Sequence, residues 1–123
     1  MKIAGYKGGR LNMRETNQVT VHDLAMSELV DKTWQWFEDK GLNDPVMQMV
    51  KVQEEVGELA HEIARNHYDT PEVVDALGDT LVTIIGVCHH LNIEPAYALA
   101  CAYSEIADRK GKVINGSFVK EEE

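Results

Sequence analysis

The sequence predicts an all-α protein, an antiparallel four-helix bundle, and three observations lead to this class. Apolar residues recur every three or four positions along four segments, which places them on one face of a helix. Three of these segments open with a proline that follows a polar residue, the pattern of an N-cap and a first-turn proline. The connections between the segments are short, as is typical of antiparallel neighbours in a bundle.

The four predicted helices cover about residues 20–41, 44–66, 70–91 and 94–111. Thr20 and Asp23 form a variant of the capping box at the first start, and Gly111 is the expected stop of the fourth helix. Residues 1–19 show no periodicity and are predicted to form an irregular arm, and residues 112–123 a tail. A chain of 123 residues is expected to be one domain, residues 1–123, with the helical bundle at 20–111.

The composition excludes several classes of function. A formal net charge of −9 argues against binding to a nucleic-acid polymer, because phosphate contacts need a basic face. No apolar run reaches the roughly 20 residues of a membrane span, and the N-terminal residues lack the apolar stretch of a signal peptide. We therefore expect a cytoplasmic protein without a membrane partner. Its two cysteines lie in apolar helical patterns and are expected to be reduced core thiols.

Acidic side chains form two columns beside the apolar faces of the second and third predicted helices. They are Glu54, Glu55, Glu58 and Glu62 on the second helix, and Glu72, Asp75 and Asp79 on the third. Side chains three or four positions apart share a helix face, and folding the hairpin about residues 67–69 brings the two columns opposite each other. Such carboxylates repel one another unless a cation neutralises them, and their oxygens are the ligands that Mg²⁺ and Mn²⁺ prefer. The sequence therefore predicts a divalent-metal site on this helical pair.

The pattern Glu54-Glu55-x-x-Glu58, followed after a spacer by Gly78-Asp79, resembles a known signature. It is similar to the EExxE…ExxD motif of the MazG-like, all-α nucleoside triphosphate pyrophosphohydrolases, especially the small single-domain members, many of them phage-encoded. Further resemblance lies in residues 36–42, Gln48-x-x-Lys51, residues 57–60 and residues 109–112, so it covers roughly residues 30–120. One position departs from the motif, because Ala76 stands where the family has an acid.

The resemblance implies hydrolysis of an NTP or dNTP to the monophosphate and pyrophosphate, with Mg²⁺ as cofactor and Mn²⁺ as its substitute. The residues expected to act in catalysis are Glu54, Glu55, Glu58 and Asp79. Glu55, Glu58 and Asp79 are expected to hold the metal, and Glu54 to bind a further metal or to orient the attacking water. Asp75, which lies one turn before Asp79, is expected to replace the acid missing at position 76, with Glu72 as the reserve.

Cationic, amide and aromatic side chains are expected to bind the substrate. The candidates are Lys51, Gln48, Trp36, Arg109, Lys110 and Lys112. Lys51 is equally suited to a structural ion pair, and the basic cluster to compensation of a helix dipole. The family places an aromatic residue of its first helix near the nucleoside, so Trp36 is the candidate stacking platform, with a core or interface position as its alternative. Trp34 is in phase with Phe37 and is expected in the core.

Two other classes of function stay open at this point. Glu58-x-x-His61 has the spacing of a di-iron carboxylate oxidase, but neither His89 nor His90 has an acid three residues before it. A non-catalytic nucleotide-binding or assembly protein is the other class, because Ala76 interrupts the motif. Members of the family form dimers or tetramers built from dimers, so we expect a homodimer or homotetramer. Its compartment would be the bacterial cytoplasm, or that of an infected host cell if a phage encodes it.

Overall fold

The computed structural model describes residues 3–7, 10–13 and 22–122, and this part of the chain is mainly helical. Its helices are α1 (Met26–Lys40), α2 (Pro45–Ala64), α3 (Pro71–Leu91) and α4 (Pro95–Ile106). Its strands are β1 (Ile3–Lys7), β2 (Arg10–Met13), β3 (Gly111–Ile114) and β4 (Ser117–Lys120). The predicted all-α class is confirmed. The chain divides into two compact units, residues 1–92 and residues 93–123, and each is described by itself.

The helices of the first unit begin largely where their capping residues predict. The Asp44 carboxylate accepts hydrogen bonds from the amides of Val46 and Met47, at 3.0 and 3.1 Å. The Thr70 hydroxyl accepts one from the amide of Val73 at 3.2 Å. These bonds satisfy amides of the first turn that have no partner within the helix, so α2 and α3 start at the prolines that follow their caps.

The start of α1 differs from the prediction. The helix begins at Met26 with Ala25 as its N-cap, and the Ala25 amide donates to the Glu28 carboxylate at 3.4 Å. Glu28, at the third helical position, thus accepts the hydrogen bond of the cap residue, which has no polar side chain of its own. Thr20, the predicted cap, lies outside the described residues. The predicted end at Lys40 is confirmed, because Gly41 adopts a φ of 69° and terminates the helix.

The core of the first unit lies where α2 and α3 pack as an antiparallel hairpin and α1 packs on α3. Phe37 of α1, Gln48 of α2 and Val73, Ala76 and Gly86 of α3 are buried. The Gln48 amide donates to the Thr83 carbonyl oxygen at 3.1 Å, which satisfies its buried nitrogen. A Cβ at position 86 would lie 2.5 Å from Gln48 Nε2 and from Phe37 Cζ, so only glycine permits this close approach of three helices.

The second unit contains α4 and the β3–β4 hairpin. α4 ends at Ile106 and not at its predicted stop, Gly111, which instead begins β3. A Cβ there would lie 2.2 Å from the Val119 carbonyl oxygen, so the paired strand requires the glycine. Asn115 and Gly116 have φ values of 51° and 79°, as a two-residue hairpin turn demands. The predicted turn signal is confirmed, but the expected tail is a paired hairpin as far as Lys120.

The N-terminal arm is also more regular than expected. β1 pairs antiparallel with β2, with Ile3 opposite Met13 and Lys7 opposite Arg10. The prediction of an irregular arm over residues 1–19 is therefore wrong for the described strands. A short hairpin carries no long periodic signal, which explains why the pattern was missed. Within the described segments of the chain, no helix is long and apolar enough to cross a membrane.

Cys88 and Cys101 are both free thiols, as predicted. Cys88 is half-buried on α3, but Cys101 is exposed on α4, so the expectation of two core positions is wrong for Cys101. The pattern of apolar neighbours around Cys101 does not correspond to a buried face, because no residue of α4 is buried.

Candidate active site

The carboxylate of Glu55 is the centre of the candidate site. Glu55 lies on the half-buried face of α2, and its Oε2 atom is buried without a hydrogen-bond partner. A buried carboxylate oxygen that makes no hydrogen bond loses its hydration without compensation, which costs free energy. Such an atom in a folded protein points to a missing ligand, either a proton or a cation.

Electrostatics connect Glu55 with acids on both helices. Burial raises the pKa of the Glu55 carboxyl above its ordinary value, and the charges of Glu58, Asp79 and Glu54 raise it further. A hydrogen bond with the Glu58 side chain acts in the same direction. Asp79 belongs to α3, so one pair of acids, Glu55 and Asp79, interacts across the helical hairpin, and the facing of the two complete columns stays a prediction.

These residues fit a divalent cation in charge and in donor chemistry. Carboxylate oxygens are the ligands of Mg²⁺ and Mn²⁺, and a cation would both supply the partner that Glu55 Oε2 lacks and offset the repulsion among the acids. The side chains do not form a ready-made shell: within residues 3–7, 10–13 and 22–122, no three acidic, histidine or cysteine side chains converge closely enough to hold an ion.

Ala76 and Asp75 differ in their burial on α3. Ala76 is 4% exposed and lies in the packing of α3, whereas Asp75 is an exposed residue of the same helix. Asp79 raises the pKa of Glu55, and Asp75 is not among the charges that do so. Asp79 is therefore the acid of α3 that acts on Glu55, and a metal-binding role for Asp75 stays a prediction. Glu72 is exposed as well.

The polar candidates for substrate binding on α2 already have partners. Lys51 Nζ lies 3.3 Å from Glu54 Oε2, in a pair whose two side chains are more than half exposed. An exposed pair of this kind contributes little to stability, so it leaves both side chains available to a ligand. Gln48, in contrast, is 8% exposed and bonded to the Thr83 carbonyl. Substrate contact by Gln48 would require that buried bond to break.

The two tryptophans of α1 occupy different environments. Trp36 is 48% exposed, with its ring edge-on to Phe37 at 5.1 Å and Lys40 Nζ 5.9 Å from its centroid. A half-exposed ring beside a cation can stack on a nucleobase. Trp34 is half-buried against His89, at the edge of the core rather than fully inside it as expected.

The basic candidates Arg109, Lys110 and Lys112 lie in the second unit and are exposed. Arg109 donates its amide to the Ile106 carbonyl at 3.0 Å, directly after α4, and Lys112 lies on β3 opposite Val119. Arg109 and Lys110 line a surface cleft of that unit together with Lys120 and several acids, among them Glu105 and Asp108. Their contact with substrate stays a prediction.

Sequence reasoning missed one polar cluster. Glu38 of α1 and His89 of α3 are hydrogen-bonded although they lie 51 residues apart, and His89 also contacts His90. Adjacent histidines after Cys88 were the available signal, but nothing in the sequence indicates their partner on another helix.

The fold defines an all-α protein with an acidic site on a helical hairpin. It is similar to the crystal structure of the Bacillus-conserved MazG protein, a nucleotide pyrophosphohydrolase, with a TM-score of 0.61 and 24% sequence identity. The similarity covers 71% of this chain and 94% of that chain. Neither a protein-family model nor a curated protein matches the sequence. At this identity the comparison establishes the fold, which is MazG-like.

Proposed function

We propose that this protein is a Mg²⁺-dependent nucleoside triphosphate pyrophosphohydrolase, which converts an NTP or dNTP to the monophosphate and pyrophosphate. The buried, unpartnered oxygen of Glu55, near Glu54, Glu58 and Asp79, carries the proposal. The solved MazG structure with a similar fold is that of a nucleotide pyrophosphohydrolase, which supports the same class of reaction. The proposed setting is the bacterial cytoplasm, or that of an infected host cell.

Glu55, Glu58 and Asp79 would hold the cation, and Mn²⁺ has the same ligand preference. When bound, Mg²⁺ offsets phosphate charge and lowers the pKa of a coordinated water. Glu54 is exposed at the edge of this group and can accept the proton of the attacking water as that water forms its bond to phosphorus and the bridging oxygen leaves. A carboxylate is basic enough for this role when the water is polarised.

The remaining candidates would bind and orient the nucleotide. Lys51 adjoins Glu54 and is proposed to bind phosphate oxygens, for which an ammonium group is a suitable point charge. The half-exposed ring of Trp36 suits a base. Arg109, Lys110 and Lys112 are proposed to neutralise the triphosphate.

One observation favours a second candidate, a protein that binds nucleotides without hydrolysing them. Ala76 removes a carboxylate from the motif, and the described acids do not converge into a complete metal shell. A weaker metal site would retain nucleotide binding but lose turnover. The di-metal oxidase has no comparable support, because His61 is an exposed residue of α2 and lies in no cluster of three metal-ligating side chains among the described residues.

The experiment that tests the proposal is an assay of pyrophosphate release across the common NTPs and dNTPs. We expect release with Mg²⁺ or Mn²⁺, loss of release in EDTA, and recovery when the metal is added back, because the acids alone would repel the triphosphate. Binding of a nucleotide without release of pyrophosphate at any metal concentration would favour the second candidate instead.

We further propose that the protein is a homodimer or a homotetramer. Large apolar side chains of α2 and α3 are 43–52% exposed: Met49, Val56, Ile63, Leu77, Leu81, Ile84 and Leu91. Burial of apolar surface contributes roughly 25 cal/mol per Å², so a second copy covering this face would be stabilised. Light scattering at micromolar concentration should give at least the dimer mass. A monomer mass there would contradict the proposed assembly.

A further inference from the structure

Three ionisable side chains form a continuous hydrogen-bonded row between α1 and α3. Glu38 Oε2 lies 2.5 Å from His89 Nε2, and His89 Nδ1 lies 2.9 Å from His90 Nδ1. The His89 side chain is 8% exposed, whereas that of Glu38 is 63% exposed. The row therefore runs from the surface into the packing of the first unit, and none of its members belongs to the proposed metal site.

Aromatic rings enclose the two imidazoles. The His89 ring lies edge-on to Trp34 at 5.1 Å and stacks on Phe37 at 6.0 Å, while His90 lies 5.6 Å from the same phenyl ring. Phe37 is almost fully buried and belongs to the core around Gln48 and Gly86. A change in the hydrogen bonds of the imidazoles would therefore alter the packing of α1 on α3.

The geometry limits the number of protons that the row can hold. With both rings neutral, His89 donates from Nε2 to Glu38 and accepts at Nδ1 from His90. With one added proton, His89 donates from both nitrogens and His90 accepts. With two added protons, both Nδ1 atoms carry hydrogen, and the 2.9 Å contact becomes a repulsion between two cations.

We propose that Glu38, His89 and His90 form an acid-sensitive lock, which holds α1 on α3 and opens when both imidazoles are protonated. Two charged or titratable groups act on His90: His89 from α3 and Asp44 from the start of α2. Glu38 from α1 is hydrogen-bonded to His89. The lock rests on this packing alone, so it stands or falls independently of the proposed enzymatic function.

The electrostatics of His90 agree with this behaviour. Burial lowers the pKa of His90 below the ordinary value of 6.5, and the charge of His89 lowers it further. The charge of Asp44 raises this pKa and so offsets part of the decrease. The unfolded chain then takes up a proton at a higher pH than the folded chain. Stability is therefore fully present above the unfolded pKa, falls as the pH drops below it, and stops falling below the folded pKa.

The first test measures urea unfolding of the full-length chain at pH 7.5 and pH 5.0, at one protein concentration. For the wild type we expect the unfolding constant to rise at least about threefold on acidification. His90→Asn keeps an N–H donor for His89 Nδ1 but cannot be protonated, so most of this rise should disappear. His61→Gln, which removes an exposed imidazole of α2, should keep the wild-type rise.

The second test uses Trp34 as a local reporter, in a Trp36→Phe background. A protonated imidazole quenches a neighbouring excited indole, and His89 touches Trp34. We expect the fluorescence of Trp34 to be quenched as the pH falls. The part of this quenching that occurs at lower pH, when His90 is protonated, should be absent in His90→Asn. Glu38→Gln, which keeps an acceptor but loses the charge that favours a protonated His89, should move the acid quenching of Trp34 to lower pH. An unchanged acid response of both unfolding and fluorescence in His90→Asn and Glu38→Gln would overturn the lock.

Discussion

Glu55→Gln is expected to lower kcat for pyrophosphate release by at least about a thousandfold, about 4 kcal/mol. The substitution keeps the size of the side chain but removes the charge of a carboxylate whose Oε2 atom is buried and unpartnered. A neutral amide is a poor ligand for Mg²⁺, and it leaves the surrounding acids without the cation that would join them to the triphosphate.

The stability of Glu55→Gln separates this effect from unfolding. Because burial and neighbouring acids raise the pKa of Glu55, its charged form destabilises the folded chain at neutral pH in the absence of metal. In EDTA the variant should therefore melt at or above the wild-type temperature while remaining inactive. Asp31→Asn, at an exposed acid of α1, should retain wild-type activity. Near-normal turnover by folded Glu55→Gln would remove Glu55 from the site.

Asp75→Asn is expected to lower kcat by about a hundredfold, about 3 kcal/mol. Asp75 precedes Asp79 by one turn, so the two acids share a flank of α3. Asp75 is exposed and is not among the charges that act on Glu55, so its expected role as a metal ligand, direct or through one water, depends on the helix flank that it shares with Asp79. In that place it would supply the oxygen that Ala76 cannot.

Glu72→Gln is the matched control for Asp75, because it neutralises another exposed acid on the same helix. Its effect should be less than about tenfold, as expected for a charge outside the innermost ligands. The kinetic constants of both variants, measured over a range of Mg²⁺, check the assignment. The reverse order, with Glu72→Gln inactive and Asp75→Asn active, would show that Glu72 replaces the missing acid.

The starts of α2 and α3 were predictable because they depend on local chemistry. Asp44-Pro45 and Thr70-Pro71 satisfy the free amides of a first turn wherever they occur in an apolar-periodic sequence. The two short hairpins could not be predicted, because strands of four or five residues contain too few alternations of apolar and polar residues to compete with a helical pattern. Asn115-Gly116 indicated the turn but not the strands beside it.

Within the site, the acidic columns could be predicted because helical spacing fixes which acids share a face. Which face of each helix is buried could not be predicted from this spacing. Gln48 enters the core because the Thr83 carbonyl satisfies it, while apolar residues such as Val56 and Leu81 remain about half exposed. The bond between Glu38 and His89 joins residues 51 positions apart, and only the packing of α1 on α3 creates it.

The identity of the bond that breaks is the most direct test of the proposed function. Phosphorus NMR of a nucleoside triphosphate incubated with the protein and Mg²⁺ resolves every product. We expect nucleoside monophosphate and pyrophosphate in equal amounts, with neither formed in EDTA. Nucleoside diphosphate and orthophosphate as the products would contradict it.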